Sequence, residues 1–134
     1  MAGLVCDIVT PQARLFSGDA TMVTVPGVEG SMGFLQGHVP LVSPLADGMV
    51  RIEGDAPDDA KSFVCQGGYV EVTGEKVIVL ANRALRVEDI DASAVREQLG
   101  QLEEKRAALS EEEANKTTLA DDIAWCNAQL NAVS

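Results

Sequence analysis

The residue pattern predicts an α+β protein: an antiparallel all-β first half over residues 1–87, sandwich or barrel, then two helices over residues 88–134 folded as a hairpin. Two changes along the chain point to this division. The hydrophobic period shifts after about Val87 from two to the helical 3.6. From Asp91 onward proline disappears, Gly100 is the only glycine, and Ala, Glu, Gln and Leu dominate, which is the composition of helix. At 134 residues, a compact chain buries roughly two thirds of its unfolded surface, enough for one core without staples.

In the first half, six short runs rich in valine and isoleucine read as strands: 4–11, 20–27, 48–53, 61–67, 69–74 and 76–81. Gly, Pro and Asp bound them, and the Thr73-Gly74-Glu75 break in "YVEVTGEKVIVL" marks a hairpin. Short strands at close, even spacing leave no room for the helical crossovers of a parallel sheet. In the second half, Val95, Leu99, Leu102 and Leu109 form one apolar stripe, and Leu119, Ile123, Cys126 and Leu130 form another. They predict helices over about 92–109 and 111–131, with a single long helix as the alternative because neither Gly nor Pro stands at the junction. Between them Ser110-Glu111-Glu112-Glu113 fits a capping box, in which the serine hydroxyl accepts from the amide three residues on. Trp125, the only tryptophan, suits a brace anchored on the sandwich side.

Charge and cysteine usage narrow the function classes. Ten basic against twenty-one acidic side chains give a net charge of -11, which repels nucleic acid and anionic lipid alike. Cys6, Cys65 and Cys126 are odd in number and far apart, so they predict buried thiols rather than a disulfide frame or a zinc site. The start of the chain has neither a secretory nor an organellar signature, and no window is apolar enough to span a membrane. A cytosolic protein, or one held to a membrane through other proteins, is expected.

The one histidine, His38, sits in the glycine-dense stretch "GSMGFLQGHVPL" at 30–41. A metal site of the double-stranded β-helix kind needs further histidines, and general-base chemistry needs a nucleophile and an orienting acid. A phosphate cradle needs a lysine after the glycines. None of these companions is present, so neither a catalytic residue nor a metal ligand nor a cofactor is expected. The residue-level reading is a tight turn in which His38 caps a backbone group or packs under the loop.

The pattern P-G-x-E-G-x-x-G-x-L-x-G-H-x-P-L, residues 26–41, together with "LFSG" at 15–18, "GGYVEV" at 67–72 and "VIVLANRA" at 77–84, resembles the epsilon subunit of bacterial F-type ATP synthases, the equivalent of the mitochondrial delta subunit. The resemblance implies a ten-stranded β-sandwich followed by a two-helix hairpin. It implies a non-catalytic piece of the central rotor at the cytoplasmic face of the bacterial inner membrane. The implied partners are the gamma subunit, the c-ring of the membrane sector and, through the hairpin, the alpha/beta catalytic head.

By the family pattern, Glu29, Gly30, Ser31, Met32, Gly33, Gly37, His38, Pro40 and Leu41 belong to the c-ring and gamma interface. The turn at Glu29-Gly30-Ser31 and the Gly37-His38 corner are both expected at the end that meets the ring. The family commonly has an acidic residue where Ser31 stands and often proline in place of Gln36. In many members the hairpin opens and blocks ATP hydrolysis, and in some, bound ATP holds it closed through an I/L-D-x-x-R-A motif. Here Ile90 and Asp91 are kept, but Ala94 stands where the arginine belongs and Arg96 lies two positions on. A triphosphate there lacks its cationic partner. From Glu88 on, eleven acidic residues face four basic ones, a poor match to an acidic catalytic head, so weak inhibition is expected.

Overall fold

The computed structural model describes residues 3–134, the Pro57 side chain excepted. Ten strands come first: β1 (Leu4–Val9), β2 (Arg14–Ala20), β3 (Met22–Gly27), β4 (Gly30–Phe34), β5 (Leu41–Pro44), β6 (Gly48–Glu53), β7 (Lys61–Gln66), β8 (Tyr69–Val72), β9 (Lys76–Leu80) and β10 (Arg83–Arg86). They form two five-stranded sheets with orders β2-β1-β9-β8-β5 and β10-β7-β6-β3-β4. The predicted sandwich is therefore present.

Strand alternation builds its interior. Leu4, Cys6 and Ile8 of β1, Val70 and Val72 of β8, and Val77 and Val79 of β9 face Val23, Val25, Val50, Ile52, Phe63 and Cys65 of the other sheet in one core. Pairing is antiparallel except between β1 and β9, which run parallel. That exception needs no tight turn, because most of the sandwich is wound between the two strands.

The C-terminal part holds α1 (Ala92–Ala108), α2 (Glu111–Asn115) and α3 (Leu119–Val133). All eight stripe residues meet in a second cluster: Val95, Leu102, Leu119, Ile123 and Cys126 are buried, with Leu99, Leu109 and Leu130 packed against them. The second predicted helix is not continuous, however. It breaks after Asn115 because hydroxyls compete for the backbone at the Thr117-Thr118 pair. The Thr117 hydroxyl donates to the Ala114 carbonyl at 2.8 Å and accepts from the Leu119 amide at 3.2 Å, while the Thr118 hydroxyl donates to Asp122 Oδ2 at 3.0 Å. The Ser110 box forms as expected, with the Glu113 amide 3.1 Å from the serine hydroxyl. All three cysteines are buried and free, and burial pushes the Cys6 and Cys65 thiols up to about 12.

Helix α3 lies on the outer face of the second sheet. In β7, Phe63 and Cys65 point into the sandwich core, so the alternate residues Val64 and Gln66 point outward, and both are nonetheless buried. Gln66 Nε2 donates to the Asp121 carbonyl of α3 at 2.8 Å, and Arg83 of β10 pairs with Asp122 at 2.7 Å. Trp125 is half-buried one turn beyond these contacts. The hairpin is thus a brace on the side of the sandwich.

Candidate functional site

The residues singled out by the sequence fall at two separate places. Gly27 and Gly30 close the β3–β4 hairpin around Val28 and Glu29. Gly30 has a φ of +131°, which only glycine adopts without strain. Glu29 and Ser31 are exposed, and with Val28, Ser43 and Pro44 they line a shallow hollow.

Beyond this turn the edge strand β4 alternates. Met32 packs against the sandwich core, so it points inward, as does buried Phe34. Gly33 lies outward opposite Thr24, and a Cβ there would meet only the tip of the Met22 side chain. It is a mid-strand residue and not a turn glycine.

The Gly37-His38 corner lies at the other end of the sandwich, contrary to the expectation that both would share one end. Strand β4, five residues long, separates the two by roughly 13 Å at ~3.3 Å per residue. The Gly37 amide donates to the Gly74 carbonyl of the β8–β9 turn at 2.7 Å, whereas the β3–β4 turn sits beside Leu45, itself bonded to Gly68 at the start of β8. Gly37 has a φ of +85°.

At this corner His38 does what the residue-level reading predicts. Its ring stands edge-on to Phe34, centroids 4.9 Å apart at 86°. Nδ1 lies 2.7 Å from the Val39 carbonyl; a carbonyl only accepts, so Nδ1 is the donor in this contact. Leu35 and Val39 are 57% and 75% exposed beside it. Pro40 is exposed, while Leu41 turns back onto the core. Among the described residues no cluster of His, Cys, Asp and Glu could hold a metal ion.

A third feature escaped the sequence reading. The second sheet's outer face is covered by α3, but the first sheet's outer face is bare and apolar: Val5, Val42, Tyr69 and Leu80 are 37%, 69%, 56% and 44% exposed. Tyr69 pairs with both Leu80 and Pro44, which makes the patch continuous across β9, β8 and β5. In its midst Asp7 accepts from the Ser17 hydroxyl at 2.6 Å and pairs with Lys76 Nζ at 3.0 Å. The serine bond, helped by the lysine, holds its carboxyl below the usual carboxylate range. The signal was in "KVIVL" at 76–80, where the outward Ile78 and Leu80 are as apolar as the inward Val77 and Val79, the mark of a strand covered on both faces.

The candidate regulatory residues have local jobs. Asp91 caps α1, its Oδ1 accepting from the Ala94 amide at 3.1 Å. Ile90 packs under the hairpin cluster, and Arg96 is exposed. No helix among the described residues is long and apolar enough to cross a membrane.

Comparison with known proteins agrees with this architecture. A family model described as the ATP synthase delta/epsilon chain, beta-sandwich domain, matches residues 4–87. The ATP synthase epsilon chain of Magnetococcus marinus is 35% identical over 127 residues, covering 95% of this chain and 91% of that protein. That of Halorhodospira halophila is 35% identical over 133 residues, covering 99% and 94%. Among solved structures, a chain of the Euglena gracilis mitochondrial ATP synthase, in a structure of its OSCP, F1 and c-ring, has the same fold, with a TM-score of 0.78 at 21% identity over 100% of this chain and 83% of that one. The sandwich, its glycine-punctuated β3–β4 turn and the helices that follow therefore place this chain in the family of ATP synthase epsilon chains.

Proposed function

We propose that the chain is a non-catalytic central-stalk subunit of a proton-translocating F-type ATP synthase. With gamma it couples rotation of the c-ring to the catalytic head. The observation that carries this reading is a rigid sandwich with exposed contact regions on an end and a side, joined to membership of the epsilon family. Torque transfer needs such a part, because a close-packed interior deforms little under load.

The exposed Glu29-Gly30-Ser31 turn and its hollow are assigned to the polar loops of the c-ring, with Gly33 on the adjoining edge strand. Ser31 supplies a hydroxyl where the family commonly has an acid, and the lost exposed ion pair is worth only ~0–1 kcal/mol. The Gly37–Leu41 corner and the bare face of the first sheet are assigned to gamma. The exposed apolar side chains around them, Leu35, Val39, Val42, Tyr69 and Leu80, are what an apolar partner surface would cover. The protein is then held peripherally at the cytoplasmic face of the membrane, without inserting into it.

The hairpin inhibits ATP hydrolysis weakly, on the strength of its eleven acidic and four basic residues. Co-expression with tagged gamma tests the placement. The wild-type chain is expected to co-purify, and Tyr69→Asp to co-purify several-fold less. Equal recovery of both would remove gamma from this face.

A further inference from the structure

We propose that Glu71, in the middle of the first sheet's bare face, decides what that face accepts. It admits a partner surface that brings one basic side chain, ringed by apolar groups, to meet the Glu71 carboxylate. The inference rests on the assignment of this face to gamma and adds to it the charge that gamma has to carry there.

Three observations carry it. First, Glu71 lies within the apolar patch and not at its rim. Strand β8 runs between β9 and β5, and Glu71 is paired with Ile78 on one side and Val42 on the other. Val70 and Val72 belong to the core, so Glu71 points outward with Tyr69, and it is exposed. Side chains at paired positions stand about 5 Å apart. The carboxylate is therefore set among aliphatic groups that an apolar partner would cover.

Second, this carboxylate has no partner within the chain. The outward positions of β1, β9, β8 and β5 hold three charged residues, Asp7, Lys76 and Glu71. Lys76 Nζ is held by Asp7 at 3.0 Å, and Asp7 also accepts from the Ser17 hydroxyl. Among the described residues no hydrogen bond or ion pair reaches Glu71. The Asp7–Lys76 pair cancels, and Glu71 leaves these four strands with one uncompensated negative charge.

Third, that charge selects between occupants. A second copy of the chain, laid face to face about a two-fold axis, sets this patch against itself and opposes one Glu71 to the other. A carboxylate stripped of water is tolerated only when it is paired, so self-pairing is disfavoured and a basic partner is favoured. Tyr69, two residues away on the same strand and face, offers a ring on which a guanidinium can lie. Glu71 is thus a specificity-determining residue: the apolar side chains supply contact area, and the carboxylate decides whose area fits.

The test measures affinity of the full-length chain for purified gamma on a biosensor, at low and at high salt. Glu71→Gln keeps the shape and removes the charge, and as the side chain is exposed in the free chain its thermal melt is expected to match wild type. It is expected to bind gamma about tenfold or more weakly, because the partner's cation is then covered without a counter-charge. Glu71→Asp is expected to recover most of that loss, and the salt dependence seen with wild type to flatten in Glu71→Gln. Tyr69→Asp, run in parallel, reports on the face itself. If Tyr69→Asp binds weakly and Glu71→Gln binds like wild type, the charge requirement is overturned while the gamma assignment stands. If wild type does not bind, or neither variant loses affinity, gamma does not sit on this face and the proposal falls with that assignment. A wild-type chain that dimerises through this face, with Tyr69→Asp monomeric, would also overturn it.

Discussion

The sandwich and the hairpin bury their apolar residues to different depths. In the sandwich Cys6, Ile8, Val23, Val25, Val50, Phe63, Val70, Val77 and Val79 have no exposure at all. In the hairpin only Cys126 reaches that depth, while Val95, Leu102, Leu119 and Ile123 keep 6–9%. Two sheets enclose a core from both sides; two helices can only form a seam, open along its flanks. Stability and rigidity are therefore concentrated in the first half, and the second half depends on a thin core and a docking contact. A part that must transmit force and a part that can change position ask for that difference.

The difference can be broken at either half. Phe63→Ala empties the centre of the sandwich, and such truncations cost about 3–5 kcal/mol. Urea unfolding followed by β-sheet circular dichroism is expected to show a midpoint far below wild type. Leu102→Ala removes the middle of the α1 stripe, 9% exposed, for about 2–3 kcal/mol at the lower end of the range for buried leucines. The loss is expected to fall on the hairpin alone, so amide exchange accelerates in α1 and α3 while β1, β8 and β9 stay protected. Acceleration in both halves would mean one cooperative unit.

Asp7→Asn tests a smaller effect at the bare face, about 1 kcal/mol for weakening a charge-assisted hydrogen bond. Because the folded carboxyl lies below its ordinary 3.8, its stabilisation is fully present above that value. It fades as pH falls through the lowered one. Thermal melts of wild type and Asp7→Asn are expected to differ at pH 7 and to converge in acid.

The inner strands were legible in the sequence and the edges were not. The six valine-rich runs correspond to β1, β3, β6, β7, β8 and β9, all interior to their sheets. The four strands that pattern alone did not mark, β2, β4, β5 and β10, are the four edges. An edge strand packs against one neighbour and tolerates residues such as Ser17, Gly18, Gly33 and Pro44, which dilute the alternation. The helical stripes were read residue for residue. The break at Thr117-Thr118 was not, since it depends on hydroxyl contacts rather than on period.

At the candidate site, the residue types of the loop offered His38 no catalytic companion, and its turn role followed from chemistry. What no pattern could supply was direction. Nothing in "GSMGFLQGH" says that β4 runs the length of the sandwich and carries Ser31 and His38 to opposite ends.

The division of labour is tested most directly by ATP-driven proton pumping in a complex reconstituted with gamma, the catalytic head and the c-ring. Two altered chains are compared with wild type: one lacking residues 88–134, and one with Ser31→Trp at the turn assigned to the ring. Pumping per ATP hydrolysed is expected to stay within about twofold of wild type without the hairpin and to fall severalfold with Ser31→Trp. Loss of pumping on hairpin deletion, with normal pumping by Ser31→Trp, would contradict the account.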